Sequence, residues 1–218
     1  PYPPGKPVEE VQREYGLDDV IKLASNENPF GPSPSAVEVM ASSAGDMHAY
    51  PDGSGYFLKQ DIANRLGIGI DELILGNGSD DITTFLSQCY LNRRRGLITS
   101  NYAFVRYRMA AMAMNAPLTL VPMKNMRHDL ASIVKVVDQS TAMICLDIPC
   151  NPTGTIVTRG QMETFLKRVP EEVLIVLDQA YFEYAGSDRK YPDGLELRKH
   201  HSNLVVTLTF SNAYGLAG

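Results

Sequence analysis

The sequence predicts a three-layer α/β fold built around a mostly parallel sheet. The first observation is the stretch from Cys145 to Tyr181. An apolar run, Cys145–Ile148, stops in the turn Pro149-Cys150-Asn151-Pro152-Thr153-Gly154. Met162, Phe165, Leu166 and Val169 then share one helical face, and Leu174–Leu177 is a second apolar run closed by Asp178. Strand, helix, strand is a βαβ unit, whose strands are parallel. The second observation is that five apolar runs, at 96–100, 117–122, 142–148, 174–178 and 204–210, with a shorter one at 73–76, alternate with helical periodicity. The third is that Asn151 and Asp178 then both lie at carboxyl ends of parallel strands, where open α/β sheets bind ligands.

The elements follow in order. Pro1 to Gly16 contains four prolines and little periodicity, so it reads as an extended arm. Leu23–Pro34 continues it, being too rich in Pro for a central strand or helix. Residues 1–34 are therefore assigned to an arm and residues 35–218 to one large domain. A helix is expected over Ser35–Ser43, and Tyr50-Pro51-Asp52-Gly53-Ser54-Gly55 is a turn cluster. Tyr56–Leu66 is helical, with Leu58, Ile62 and Leu66 in phase and Gly67 as its stop.

After the short strand near Leu75, Gly76-Asn77-Gly78-Ser79-Asp80-Asp81 feeds a helix bearing Ile82, Phe85, Leu86, Cys89 and Tyr90. With Ser79 as N-cap, this turn offers backbone N–H donors to an anion, although such turns also serve plain strand-to-helix geometry. The Asp80 carboxylate would repel an anion unless it points away. A helix begins near Ala103, where Phe104 either lies on a flat ligand ring or packs in the core. Asp129 caps a helix carrying Leu130, Ile133, Val134 and Val137, and Thr158 caps the helix of the βαβ unit.

Composition narrows the function. The net charge of −5 and the absence of a basic face beyond Arg93-Arg94-Arg95 argue against nucleic acid. No apolar run approaches the roughly 18 residues that span a membrane. The start lacks the basic and apolar regions of a signal peptide, and Cys89, Cys145 and Cys150 read as reduced packing residues. The expectation is a cytoplasmic protein. His48, His128, His200 and His201 show no metal-ligand spacing, so no metal site is expected.

A carboxylate ending a buried strand needs a partner. Asp178 either caps a turn, pairs with an Arg, or meets a cationic ring nitrogen, with Asn151 and Tyr181 donating to an oxygen on the same ring. The last arrangement suits pyridoxal 5′-phosphate, whose pyridinium becomes an electron sink when a carboxylate keeps it protonated.

Asn151-Pro152-Thr153-Gly154 followed by Asp178-x-x-Tyr181 resembles the fold-type I pyridoxal-phosphate enzymes. Leu23–Pro34, Tyr50–Gly55, Leu75–Asp81 and Thr209–Gly218, in that order, narrow the resemblance to the histidinol-phosphate aminotransferase family, across nearly the whole chain. The resemblance implies a fold-type I large domain and a ping-pong transfer of an amino group from glutamate to imidazole-acetol phosphate. Threonine-phosphate decarboxylases and aromatic aminotransferases share much of the pattern. It also implies that Asp178 pairs with the pyridine nitrogen, that Asn151 and Tyr181 hold the ring hydroxyl oxygen, and that Phe104 stacks on the ring. Ser79, the backbone at Asp80, Thr209 and Ser211 would contact the phosphate, and Tyr50 would reach the phosphate of a neighbouring subunit in a homodimer. Tyr2 and Asn26 would meet the substrate.

Three departures stand out. Asn212 occupies the position of the family's Schiff-base lysine, and a carboxamide is neither nucleophile nor base. Lys199 lies at the wrong end of the last strand to replace it. This favours, as a competing reading, a silent paralogue that binds the cofactor without turnover. Gln179 replaces a usual Glu and Cys150 a usual Asn. The family also continues with an antiparallel strand, a phosphate-binding Arg and a small domain, so the expectation is an incomplete large domain without its small domain.

Overall fold

The computed structural model describes residues 5–218, and Tyr2 lies outside them. By contacts the chain divides into two compact units, Pro1–Gly45 with Phe210–Gly218, and Asp46–Thr209.

The first unit contains α1 (Val8–Tyr15) and α2 (Pro34–Ser43). The expectation of an extended arm through Gly16 is corrected here. The prolines end at Pro7, which is the N-cap, and Val8 onward has good helix formers with Glu9 and Glu10 at the positive end of the helix dipole. Gly16 ends α1 in the left-handed conformation, φ 65°, donating to the Gln12 carbonyl. Ser33 caps α2 through its hydroxyl, which accepts from Ala36 N–H at 3.2 Å, with Pro34 in the first turn. Asn28 Nδ2 donates to the Ala213 carbonyl at 2.9 Å. Gly215, φ 68°, lies so near that a Cβ there would sit 2.5 Å from the Gly31 carbonyl.

The second unit holds the sheet. Its elements are α3 (Tyr56–Leu66), α4 (Gly78–Tyr90), β1 (Gly96–Ser100), α5 (Val105–Ala113), β2 (Leu118–Val121) and α6 (Leu130–Val136). They continue with β3 (Thr141–Asp147), α7 (Arg159–Leu166), β4 (Leu174–Asp178), α8 (Phe182–Ala185), α9 (Gly194–Leu197) and β5 (Leu204–Thr207). The strand order is β2-β1-β3-β4-β5 and every pairing is parallel.

The alternation of side chains along the strands makes two cores. Ile144, Leu146, Ile175 and Leu177 pack against Leu130 and Ile133 of α6, Met162, Phe165 and Leu166 of α7, and Leu197 of α9. Met143, Cys145 and Val176 pack on the other face against Tyr107 and Ala111 of α5 and Leu91 after α4. This is the expected α/β/α sandwich, and it explains why β3 and β4 are buried along their whole length. Full burial of each large apolar side chain contributes about 1.5–3 kcal/mol.

Three local expectations are corrected. Residues 73–76 form no strand: a short 3-10 turn, Ile70–Glu72, leads into extended chain, and Ile74 is exposed. A strand needs a hydrogen-bonded neighbour, and the pairing of β4 with β5 ends the sheet without recruiting this segment. Ser79 is not the N-cap of α4 but lies inside its first turn; Asn77 is the cap, and the Asp81 carboxylate accepts from its N–H at 2.9 Å. The last strand ends at Thr207 and not at Phe210.

Candidate functional site

The site is built where the strand order turns back. The chain passes outward from β1 to β2, then crosses back to β3, so the carboxyl ends of β1 and β3 flank a topological switch. β3 and β4 run in register with Asp147 beside Asp178, and β4 pairs Asp178 with Thr207 of β5. Two carboxylates therefore stand side by side at one end of the sheet, 3% and 4% exposed.

Asp178 is held by two donors. Tyr107 Oη donates to Oδ2 at 2.9 Å, and Ala180 N–H donates to Oδ1 at 3.1 Å. Burial, then the charge of Asp147, pushes Asp178 up to about 6, against hydrogen bonds from Tyr107 and Ala180 that pull it down. Burial, then the Asp178 charge, raises the Tyr107 phenol well above its ordinary value, so it remains a donor. None of the ion pairs among the described residues involves Asp178.

Asn151 and Tyr181 meet beside this carboxylate's strand end. Asn151 follows β3 and Tyr181 caps α8 after β4, and Asn151 Nδ2 donates to Tyr181 Oη at 3.1 Å. Phe104 is the N-cap residue of α5, its ring edge-on to Tyr107 at 5.8 Å between centroids. Four of the expected residues, Asp178, Asn151, Tyr181 and Phe104, are thus linked directly or through Tyr107 and Asp147.

The glycine-rich turn holds Ser79 and Asp80 in the first turn of α4. Gly78 has φ 68°, and a Cβ on Gly76 would lie 2.8 Å from Asp81 Cβ, so both glycines are required by geometry. The Asp80 carboxylate pairs with Arg106 at 3.4 Å, and Arg106 Nη2 also donates to Thr84 Oγ1 at 3.0 Å. Its charge is therefore answered from α5, which removes the objection to an anion at this helix start.

The remaining expected residues stand elsewhere. Thr209 follows β5 and is half-buried, whereas Tyr50 is fully exposed. Asn26, Ser211 and Asn212 belong to the other unit, where Asn212 Nδ2 donates to the Asn26 carbonyl at 3.0 Å. Lys199 precedes β5 at its amino end and pairs with Glu196 at 2.8 Å.

Sequence reasoning missed three residues. Tyr107 reads as one more apolar position of α5, and only its spacing of three from Phe104 points to the site. Asp147 is visible as a carboxylate inside an apolar run. His128 has no local signal: it is 6% exposed, with Nδ1 2.7 Å from Ser100 Oγ and Nε2 3.3 Å from Asp147 Oδ1. The fold brings His128, Asp147 and Cys150 together, with one ligand-type atom of each within 4.8 Å of the others, a cluster that the histidine spacing did not foretell. A groove of about 900 Å³ lined by Lys124, Arg127, His128 and Arg168 includes none of the expected site residues.

The profile of the aminotransferase class I and II family matches residues 18–218. Histidinol-phosphate aminotransferase of Moorella thermoacetica is 45% identical over 219 residues, covering all of this chain and 56% of that protein. Histidinol-phosphate aminotransferase 2 of Carboxydothermus hydrogenoformans is also 45% identical, with 60% of its length covered. This chain thus spans less than two thirds of the length of these relatives. The crystal structure of the Sinorhizobium meliloti histidinol-phosphate aminotransferase, in complex with pyridoxal-5′-phosphate, superposes with a TM-score of 0.89 at 28% identity, covering 99% of this chain and 58% of that one. The chain belongs to the class I and II aminotransferases.

Proposed function

We propose that this chain binds pyridoxal 5′-phosphate at the carboxyl ends of β3 and β4. Its activity class is that of its histidinol-phosphate aminotransferase relatives, transfer of an amino group from glutamate to imidazole-acetol phosphate. The observation that carries the reading is Asp178: a buried carboxylate, raised to about 6 and without an ion-pair partner among the described residues. A protonated ring nitrogen is the partner such a group lacks. The donor set fits the rest of the ring, since the Asn151 amide donates to the Tyr181 hydroxyl at 3.1 Å and the two groups stand side by side, where both could donate to one ring oxygen.

When bound, the cofactor supplies an electron sink. The chain's own residues hold and polarise it. Asp178 keeps the proton on the ring nitrogen, and Tyr107 and Ala180 fix the carboxylate so that it does not swing away. Phe104 offers an apolar face to the ring. Backbone N–H groups at Ser79 and Asp80 receive the phosphate at the positive end of α4, with Thr209 as a further contact. Tyr50, exposed on the surface, serves the cofactor of a second copy in a homodimer in the cytoplasm. The small-molecule amino donor and the phosphorylated keto acceptor follow from the same reading.

Asn212 favours a second reading, a cofactor binder without turnover. Its carboxamide cannot attack the cofactor or carry a proton. Losing a general acid/base alone costs about 10²–10⁴-fold in rate. The test is to load the chain with pyridoxal phosphate, reduce with borohydride, dialyse, and map any label. The expected result is reversible binding, no label at position 212, and no glutamate-dependent transamination. Asn212→Lys in this chain alone should still give no transamination. Robust turnover by the unsubstituted chain would overturn the silent reading, and failure to bind pyridoxal phosphate would overturn both.

A further inference from the structure

Asp147 and His128 are both buried, both polar, and neither is required by the cofactor contacts proposed above. Their geometry gives them a different task. Asp147 Oδ2 accepts from the Asn151 N–H at 2.7 Å and from the Phe104 N–H at 3.3 Å. Phe104 follows β1 and Asn151 follows β3, so one carboxylate oxygen ties together the two loops that flank the topological switch. Oδ1 makes no hydrogen bond of good geometry, and His128 Nε2 stands 3.3 Å from it. The same Nε2 is 3.1 Å from the Asp147 carbonyl, and Nδ1 is 2.7 Å from Ser100 Oγ at the end of β1.

A buried carboxylate with two amide donors on one oxygen still carries a full charge, and an imidazolium against its other oxygen neutralises it. The ring is held at both nitrogens, so its orientation is fixed by the ends of β1 and β3. Burial pulls His128 down, yet hydrogen bonds with Asp147 and Cys150, and their charges, outweigh that and hold it up at about 9. The titratable groups facing the pair are Cys150 beside the imidazole, and Asp178, Tyr107 and Cys145 near Asp147.

We propose that His128 and Asp147 form a buried positioning pair that clamps the backbone of Phe104 and Asn151, setting the ring-facing and oxygen-facing contacts of the cofactor pocket in register. The consequence for the cofactor rests on the reading of this pocket as a pyridoxal-phosphate site; the clamp itself does not. Neither residue touches the reacting atoms, so both are positioning residues. The competing occupant of the cluster is a transition metal on His128, Asp147 and Cys150. The protein contacts favour the clamp, because Nε2 already faces Oδ1 and the backbone carbonyl of Asp147, and Oδ2 is engaged by two amides.

The test compares the unsubstituted chain with Asp147→Ala, Asp147→Asn and His128→Gln, all without cofactor and then with pyridoxal phosphate. In Asp147→Ala, hydrogen–deuterium exchange at the Asn151 and Phe104 amides should accelerate at least about tenfold, the effect of losing a hydrogen bond to a charged group. The amide of Ile175, in β4, should accelerate less than these two. Asp147→Asn retains an acceptor for both amides and should recover most of the protection. If Asp147→Ala does not fold, the ring-nitrogen shifts of His128 decide. The unsubstituted chain should show an imidazolium at pH 7, and Asp147→Asn should move its titration back toward the ordinary histidine range. The dissociation constant for pyridoxal phosphate should rise about tenfold or more in Asp147→Ala, and by less in Asp147→Asn. Unchanged exchange at both amides, a neutral His128 at pH 7, or stoichiometric zinc that is lost in Cys150→Ser would each overturn the clamp. Absence of pyridoxal-phosphate binding by the unsubstituted chain, with the exchange pattern intact, would instead refute the cofactor reading and leave the clamp standing.

Discussion

Asp178→Asn should make the cofactor-free chain more stable at neutral pH while removing its main ligand for the cofactor ring. The raised value of about 6 in the fold, against 3.8 ordinarily, means that the fold prefers the protonated acid. That preference contributes stability fully below about pH 4, and the contribution is lost as pH rises through 6. Two units at about 1.4 kcal/mol each amount to roughly 3 kcal/mol. Asparagine has nearly the same shape and no charge to lose. Its Oδ1 can accept from Ala180 N–H, and its Nδ2 can donate to the Tyr107 hydroxyl, which turns from donor to acceptor. Urea unfolding of both forms at pH 4.5 and pH 8 is the assay. An advantage for Asp178→Asn of about 1 kcal/mol at the lower pH, growing to nearly 3 kcal/mol at the higher, is the expected outcome. A difference that does not vary with pH, or a loss at pH 8, would show that the carboxylate is not desolvated as described. The trade of stability for a strained charge is what a binding site for a cation requires.

Other perturbations address separate parts of the structure. Gln179 Nε2 donates to Tyr191 Oη at 2.7 Å and to the Pro192 carbonyl at 2.9 Å, while Oε1 accepts from Gly194 N–H at 2.9 Å. Gln179→Glu would turn a carboxylate oxygen toward that carbonyl and should cost about 1–3 kcal/mol in thermal or urea unfolding at pH 7; an unchanged melting curve would contradict the network. Thr158→Ala removes the capping box with Gln161 and should cost about 1 kcal/mol, read by the same unfolding assay. His128, held at about 9, stabilises the fold fully below its unfolded value near 6.5, and this is lost as pH rises through 9. Roughly 3 kcal/mol should therefore disappear between pH 6.5 and 9, and His128→Gln should flatten that slope.

Much of the fold was legible because local and global signals agree. The apolar runs of β3 and β4 are uninterrupted, the helix between them has a capping residue and an in-phase face, and the structure repeats this arrangement with the first strand shifted by one residue and the helix ending at Leu166 instead of Val169. What failed had local signals without tertiary support. Residues 73–76 carry strand-like side chains, but a strand exists only by pairing. Residues 8–15 do carry a short apolar stripe, Val8, Val11 and Tyr15, but the prolines before it point to extended chain, although proline at the start of a helix is compatible with one beginning immediately afterwards. In the site, Asp178, Asn151 and Tyr181 could be found because each closes a strand or follows its turn. Tyr107 and His128 could not, because their partners are 71 and 19 residues away, and only the parallel pairing brings them together.

The most direct test of the central claim is the dissociation constant for pyridoxal phosphate, measured by equilibrium dialysis at pH 7.5 for the unsubstituted chain, Asp178→Ala and Asp147→Ala. The account predicts reversible binding by the unsubstituted chain, the largest loss in Asp178→Ala, where the ring-nitrogen partner is gone, and a smaller loss in Asp147→Ala, where only the positioning of the pocket is affected. Equal losses in the two variants, or unaltered affinity in Asp178→Ala, would contradict it.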